Sequence, residues 1–419
     1  MKLAQTPPMG WNSWDCYGAS VTEATVRSNA EFMANHLKQY GWQYIVVDIQ
    51  WYEPTAENHE YHKFVPLEMD EYSRLLPAVN RFPSAKDGQG FKPLADYIHS
   101  LGLKFGIHIM RGIPRQAAHQ HSAIKGTSIT ANEIANPNDV CEWNPDMYGI
   151  HANAPGAAEY YNSLFELYAS WGVDFVKVDD ICREFRIGEI QLIHNAIKNS
   201  GREMILSLSP GPAPLEHAEE FKELANMWRI TDDFWDKWEL LDDMFSRSEK
   251  WCTHSGPGSW PDCDMLPIGP ILQDYKKENW TKFTKDEQIT MLTLWCMMRS
   301  PLIIGGDMTG FDDFTMRLLT NEALLEIVNH THSAHQLFRR GEAGKEQIAW
   351  FTTHEEKGYY LALFNCDNQE ATLTATLPID GTYNVYDIWA KEEIGSCTQV
   401  LSAKAPAHGA KVYRLLPCE

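Results

Sequence analysis

Short apolar runs rich in β-branched and aromatic residues alternate with longer amphipathic stretches through the first three quarters of the chain. The runs Met9–Trp11, Trp42–Asp48, Leu103–Met110, Val173–Asp179, Met204–Ser209, Asn226–Thr231, Asp262–Leu266 and Pro301–Gly305 have the length and composition of strands buried on both faces. Between them, Thr22–Gln39, Pro93–Gly102, Ala157–Trp171, Ile187–Ser200, Leu215–Leu224, Lys285–Met298 and Phe314–Asn329 read as helices. This alternation predicts eight βα units and hence an α/β fold, a (β/α)8 TIM barrel. From about His335 the pattern changes to short alternating runs such as Tyr359–Asn365, Ala371–Leu377, Thr382–Trp389 and Lys411–Leu415. These predict a C-terminal antiparallel β-sandwich domain without helices. The expected division is a barrel over 1–331 and a β domain over 332–419.

Composition narrows the function. Hydrophobic residues at 44% and charged residues at 22% of 419 give the balance of a globular chain and exclude a disordered one. The net charge of -21 sets the surface against nucleic acid and anionic lipid, so neither nucleic-acid nor membrane partners are expected. Met1–Gly10 lacks the apolar segment of a signal peptide, and no run reaches the length of a membrane span, so the chain as given is expected to be cytoplasmic. Nine cysteines without CxxC pairs fit reduced thiols better than a disulfide framework. Cys263, between Asp262 and Asp264, has no neighbouring histidine, and no metal is expected there. Fifteen tryptophans allow flat indole faces to stack on sugar rings, although core packing accounts for such a count equally well. Self-association is left open.

Barrel sites lie at the carboxyl ends of the strands. Asp48–Trp51 ends strand two, His108 lies on strand three, Lys177–Asp180 ends strand four, and Arg229–Asp233 ends strand six. Lys177 and Asp179 share a strand face, as Arg229 and Asp233 do if that run stays extended. Two carboxylates across a cleft suit cleavage of a glycosidic bond, where one attacks the anomeric carbon and the other protonates the leaving oxygen. A neighbouring cation favours ionised Asp179, as a nucleophile requires. Asp180, Asp232 and Asp236 compete for these roles on spacing alone.

Met9–Trp14 (MGWNSW), Gly102–His108, Lys177–Asp179, Arg229–Trp238 (RITDDFWDKW) and Trp260–Gly269 (WPDCDMLPIG) together resemble the α-galactosidase or melibiase family, glycoside hydrolase family 27. The resemblance implies Asp179 as nucleophile and Asp233 as acid/base of a retaining exo-glycosidase that needs no metal or organic cofactor. It places Trp14, Asp48, Lys177, Arg229 and Asp264 around the sugar. Gln50 replaces one family cysteine and Cys182 is displaced by one position, so the disulfides of secreted relatives are not expected.

Two further positions bear on substrate. Where family α-galactosidases carry a second aspartate after Asp48, holding the sugar's hydroxymethyl group, this chain has Ile49. Isoleucine accepts no hydrogen bond, which costs a buried 6-hydroxyl roughly 1–3 kcal/mol. β-L-Arabinopyranose has the galactose ring configuration without that group, so β-L-arabinopyranosides are the expected substrates, as small glycosides or oligosaccharides. Ordinary α-D-galactosidase activity is the alternative if Ile49 merely packs. Ser209 stands where relatives often carry a glutamate near the 2-position, which keeps α-N-acetylgalactosaminidase in view. His108 either lines the pocket or is a core histidine. A catalytically dead sugar-binding barrel and a metal-dependent barrel hydrolase are the readings from other classes.

Overall fold

The computed structural model describes residues 3–272, 279–356 and 358–418. Eight parallel strands form one sheet: β1 (Met9–Asn12), β2 (Tyr44–Val47), β3 (Lys104–Met110), β4 (Phe175–Asp179), β5 (Ile205–Leu208), β6 (Met227–Arg229), β7 (Trp260–Asp262) and β8 (Leu302–Ile304). They pair in chain order from β1 to β7, and β8 pairs with β1. A parallel bridge between Leu266 and Ile304, just beyond β7, closes the ring. The (β/α)8 expectation holds.

The helices confirm most of the periodic stretches and add one. Helix α1 (Glu23–His36) starts on Thr22, whose side chain accepts from the Thr25 backbone N–H. Helices α2 (Lys92–Ser100), α3 (Ala157–Trp171), α4 (Ile187–Asn199) and α5 (Ala218–Leu224) follow β2 to β5. The sequence reading left out α6 (Trp238–Trp251), between β6 and β7. Its buried Leu241, Met244, Phe245, Ser248 and Trp251 follow the 3–4 spacing of one helix face, but charged residues between them dilute the signal. Also unanticipated is an excursion after β3, in which Ile113–Pro114, Ala135–Val140 and Met147–Ile150 form a small antiparallel sheet.

Helix α7 (Lys285–Met298) opens with a Thr284–Glu287 capping box and is buried without interruption from Thr290 onward. A helix apolar all round needs cover on every side, and the C-terminal domain supplies it. The chain runs through Asp313–Leu319 and α8 (Glu322–His330) into β9 (Thr331–Arg340), followed by β10 (Gln347–His354), β11 (Tyr359–Asn365), β12 (Ala371–Thr376), β13 (Tyr383–Asp387), β14 (Glu392–Cys397), β15 (Val400–Ala405) and β16 (Ala410–Pro417). A six-stranded sheet in the order β9-β10-β11-β16-β13-β14 faces the β12–β15 pair.

Strand alternation divides the labour in this sheet. Trp350, Tyr360, Ala362 and Phe364 join the core cluster shared with the barrel. Phe351, Leu361 and Leu363 pack on Leu373, Ala375 and Leu401 of the smaller sheet. The Trp389 indole N–H donates to Thr293 Oγ1 on α7 at 3.0 Å, and Trp238 stacks on His408 with ring centroids 3.6 Å apart. No helix among the described residues is long and apolar enough to cross a membrane.

Candidate active site

A cavity of about 250 Å³ opens at the carboxyl ends of the barrel strands, the scale of one monosaccharide. Trp14, Asp48, Lys177, Asp179, Arg229, Asp233 and Asp264 all line it. Seven residues from the ends of β1, β2, β4, β6 and β7 thus converge, as sequence reasoning expected.

Asp48 is held from several sides. Its Oδ2 accepts from Asn12 Nδ2 at 2.7 Å and from Lys177 Nζ at 2.9 Å, and its backbone N–H donates to Ser13 Oγ at 2.9 Å. Burial works against its charge, but Lys177 and His108 outweigh that effect and hold the carboxyl below its ordinary value.

Asp179 ends β4 and accepts from His108 Nε2 at 3.0 Å on one oxygen and from the Asp180 backbone N–H at 3.0 Å on the other. Burial again opposes ionisation. The His108 hydrogen bond, then the positive charges of Lys177 and Arg229, prevail and hold Asp179 well below the usual carboxylate range. His108 itself is fully buried and does not line the cavity. It is a core histidine that reaches the cavity through Asp179 and, at 4.0 Å, through Asp48.

Arg229 bridges the other wall. Its Nη2 donates to Asp233 Oδ1 at 3.0 Å and its Nη1 lies 2.9 Å from Asp264 Oδ1. The expectation of an extended Arg229–Asp233 run is corrected here: β6 ends at Arg229, and the chain bends over the next three residues. The bend, rather than strand periodicity, brings Asp233 back onto the guanidinium. Asp233 exposes 62% of its side chain, whereas Asp264 is buried and also accepts from the Phe234 N–H at 2.8 Å.

The competing carboxylates separate on geometry. Asp180 turns out of the cavity to pair with Arg111 Nη2 at 2.9 Å, in a network with Asp139 and Glu189. Asp236 accepts the Lys282 backbone N–H at 2.6 Å. Asp232 reaches the rim but is paired with Arg183 at 2.6 Å. Among the described residues no group of three or more His, Cys, Asp or Glu side chains is arranged to hold a metal, and all nine cysteines are free thiols.

Two expected wall residues are not on the wall. Ile49 is 1% exposed, packs in the barrel core and caps Asp48 Oδ1 with its own N–H at 3.0 Å. It therefore denies the site a carboxylate without presenting its side chain to the open cavity. Ser209 is likewise 1% exposed and borders a separate void of about 20 Å³ inside the barrel, below the site, while its neighbour Pro210 lines the cavity. It lies just past the end of β5, packed with Ser207 among Asn12, Asp262 and the buried sides of Lys177 and Arg229.

Sequence reasoning missed Asp15, Tyr61, Trp143, Arg183 and Trp235, all of which line the cavity. Tyr61 stacks on Trp14, with centroids 5.5 Å apart and planes 9° apart, and Trp143 packs on Tyr61 at 5.4 Å. Both come from long irregular connections, where no periodicity marks a residue. Asp15 directly follows Trp14 in the MGWNSW run and could have been found there.

The model of the α-galactosidase A family matches residues 6–151 and 145–330, and that of the α-galactosidase C-terminal β-sandwich domain matches 344–415. The chain belongs to the melibiase family. Its members' glycoside hydrolase family 27 includes a β-L-arabinopyranosidase from Geobacillus stearothermophilus that is 53% identical, with a TM-score of 0.96 over 99% of this chain and 97% of that one. A variant of that enzyme was crystallised in complex with arabinose. A Bacillus halodurans structure, provisionally described as an α-N-acetylgalactosaminidase, is 51% identical with a TM-score of 0.89, over 100% of this chain and 99% of that one. The α-galactosidase of Coffea arabica is 29% identical over 99% of this chain and 95% of its own length.

Proposed function

We propose that this melibiase-family protein is a retaining exo-glycosidase that removes terminal β-L-arabinopyranosyl units, with Asp179 as nucleophile and Asp233 as acid/base. The observation that carries this reading is that the two carboxylates share one monosaccharide-sized cavity in unlike surroundings. Asp179 is half-buried among His108, Lys177 and Arg229, and Asp233 stands at the water-facing mouth.

In the first displacement, an Asp179 oxygen forms a bond to the anomeric carbon as the glycosidic bond breaks. Its electron pair leaves on the aglycone oxygen, which takes the Asp233 proton. In the second, Asp233 removes a proton from water, the water oxygen bonds to the anomeric carbon, and Asp179 leaves as a carboxylate. The Asp179 charge stabilises the oxocarbenium-like states of both steps. Asp48 and Lys177, locked together at 2.9 Å, present an acceptor and a donor for ring hydroxyls, and Trp14, backed by Tyr61, offers an aromatic face.

The pentose preference is supported by the missing carboxylate at Ile49 and by the 53% identical arabinopyranosidase. A galactosidase reading is favoured by the curated relatives and by the withdrawal of Ile49 from the cavity wall. Measuring kcat/KM on p-nitrophenyl β-L-arabinopyranoside and α-D-galactopyranoside separates the two. The expected preference for the pentoside is about one to two decades, the equivalent of one lost hydrogen bond; a galactoside preference overturns it. Proton NMR of the first product formed tests retention, and an inverted anomer would refute Asp179 as nucleophile. Nine free thiols support a reducing compartment.

A further inference from the structure

We propose that Asp15 is a specificity-determining residue of this site, a hydrogen-bond donor to a substrate hydroxyl rather than a further negative charge. The inference rests on the sugar-binding reading above. Asp15 lines the cavity yet is 2% exposed, and its Oδ2 is fully buried without a hydrogen-bond partner. That oxygen is seated against Gly305, beyond β8, where an added Cβ would come within 2.0 Å of it. The backbone has thus left room for the carboxyl and supplied no donor to satisfy a charged one.

The charges around it point the same way. Among the described residues, the groups facing Asp15 are Asp264 beyond β7, Lys177 on β4, Asp233 beyond β6 and Asp48 beyond β2. Lys177 is committed to Asp48 at 2.9 Å, and the nearby Arg229 to Asp264 and Asp233. The third cation lining the cavity, Arg183, is paired with Asp232, so among the described residues each lining cation already has a carboxylate partner other than Asp15, in a cavity that also holds Asp48, Asp179, Asp232, Asp233 and Asp264. Burial first, then the Asp264 charge, raises the Asp15 carboxyl well above its ordinary value despite Lys177. A carboxylic acid has what an ionised one lacks, an O–H to donate. In a site rich in acceptors, such a donor discriminates between a sugar hydroxyl that can receive it and a position without one.

The experiment compares Asp15→Asn, which keeps a donor without charge, with Asp15→Leu, which keeps volume only. Wild-type turnover of either nitrophenyl glycoside secures the sugar-site reading first; its absence would remove that reading and not this one alone. Asp15→Leu is expected to raise KM about ten-fold or more with a smaller change in kcat, and Asp15→Asn to recover most of that loss. Equal impairment of the two variants, or none in Asp15→Leu, overturns the proposal. Infrared difference spectra of wild type minus Asp15→Asn at neutral pH supply a readout independent of turnover and of how well Asp15→Leu folds. A protonated carboxyl band is expected, and a carboxylate pair in its place overturns the assignment.

Discussion

Replacing His108 by phenylalanine isolates what this buried imidazole does for Asp179. His108 is fully buried on β3, so phenylalanine keeps most of the volume while removing the donor. The Trp51 indole N–H donates to the His108 backbone carbonyl at 2.7 Å, a contact the substitution leaves in place. What disappears is one 3.0 Å hydrogen bond to a charged carboxylate, worth roughly 1.5–3 kcal/mol. At 1.36 kcal/mol per pKa unit, the Asp179 carboxyl should rise by about one to two units. Lys177 and Arg229 remain, so it should stay ionised at neutral pH. The sign follows from the mechanism: a nucleophile must be ionised, so the acid limb of kcat/KM, which reports the free enzyme, should move to higher pH by the same one to two units. A depressed carboxyl also stabilises the fold above its unfolded value and loses that contribution as pH falls, so the variant should unfold at a higher pH in acid titration. The assay is a kcat/KM profile across the acid range, with circular dichroism to verify folding. A natively folded variant whose acid limb has not moved would refute the claim that His108 sets the ionisation of Asp179.

Asp233→Ala should lower kcat/KM by roughly two to four decades on a substrate with a sugar leaving group and much less on one with an activated aryl group, since only the former needs a proton donor; added azide should restore turnover of the aryl glycoside. Asp262→Asn should stabilise the protein at alkaline pH. Burial, then the Asp264 charge, pushes the Asp262 carboxyl up to about 7 against Arg229, so the wild type loses stability as pH rises from about 4 to about 7. The amide can still accept the Asp264 N–H, a bond of 2.9 Å in the wild type, and the gain by about pH 8 is at most roughly 4 kcal/mol, read as a thermal-midpoint difference that vanishes near pH 4. Trp350→Ala should cost about 3–5 kcal/mol in denaturant unfolding, because this fully buried indole packs in the cluster shared by the β sheet and the barrel; a cost under 1 kcal/mol would mean the two regions fold independently.

The parts of the fold that follow one period were legible in the chain. β2 is an unbroken apolar run, β3 and β4 are apolar runs interrupted by His108 and Lys177, and α3 and α4 carry amphipathic stripes, so their number and order specified the barrel. Asp48, Lys177 and Asp179 were legible for the same reason, since each terminates or precedes the end of such a run. Asp233 was found for a partly wrong reason: its contact with Arg229 comes from a bend that alternation does not encode. Helix α6 was hidden because Asp242, Asp243, Arg247 and Lys250 dilute its apolar face, which packs partly on the barrel, where Trp251 meets Phe221 and Trp228, and partly on the β domain, where Phe245 meets Phe364. Tyr61, Trp143 and Trp235 were invisible because they sit on irregular chain, where position is fixed by tertiary contacts alone. Ile49 and Ser209 show the limit in the other direction. Chemistry can be read from residue type, but whether a side chain faces a cavity or a core is decided by a twist of the backbone that the type does not reveal.

The central claim, that Asp179 bonds to the sugar while Asp233 handles the proton, is tested most directly by trapping the intermediate. A 2-deoxy-2-fluoro-β-L-arabinopyranosyl fluoride should inactivate the enzyme, and peptide mapping by mass spectrometry should place one glycosyl adduct on Asp179. An adduct on Asp48, Asp233 or any other residue, with Asp179 unmodified, would contradict the account.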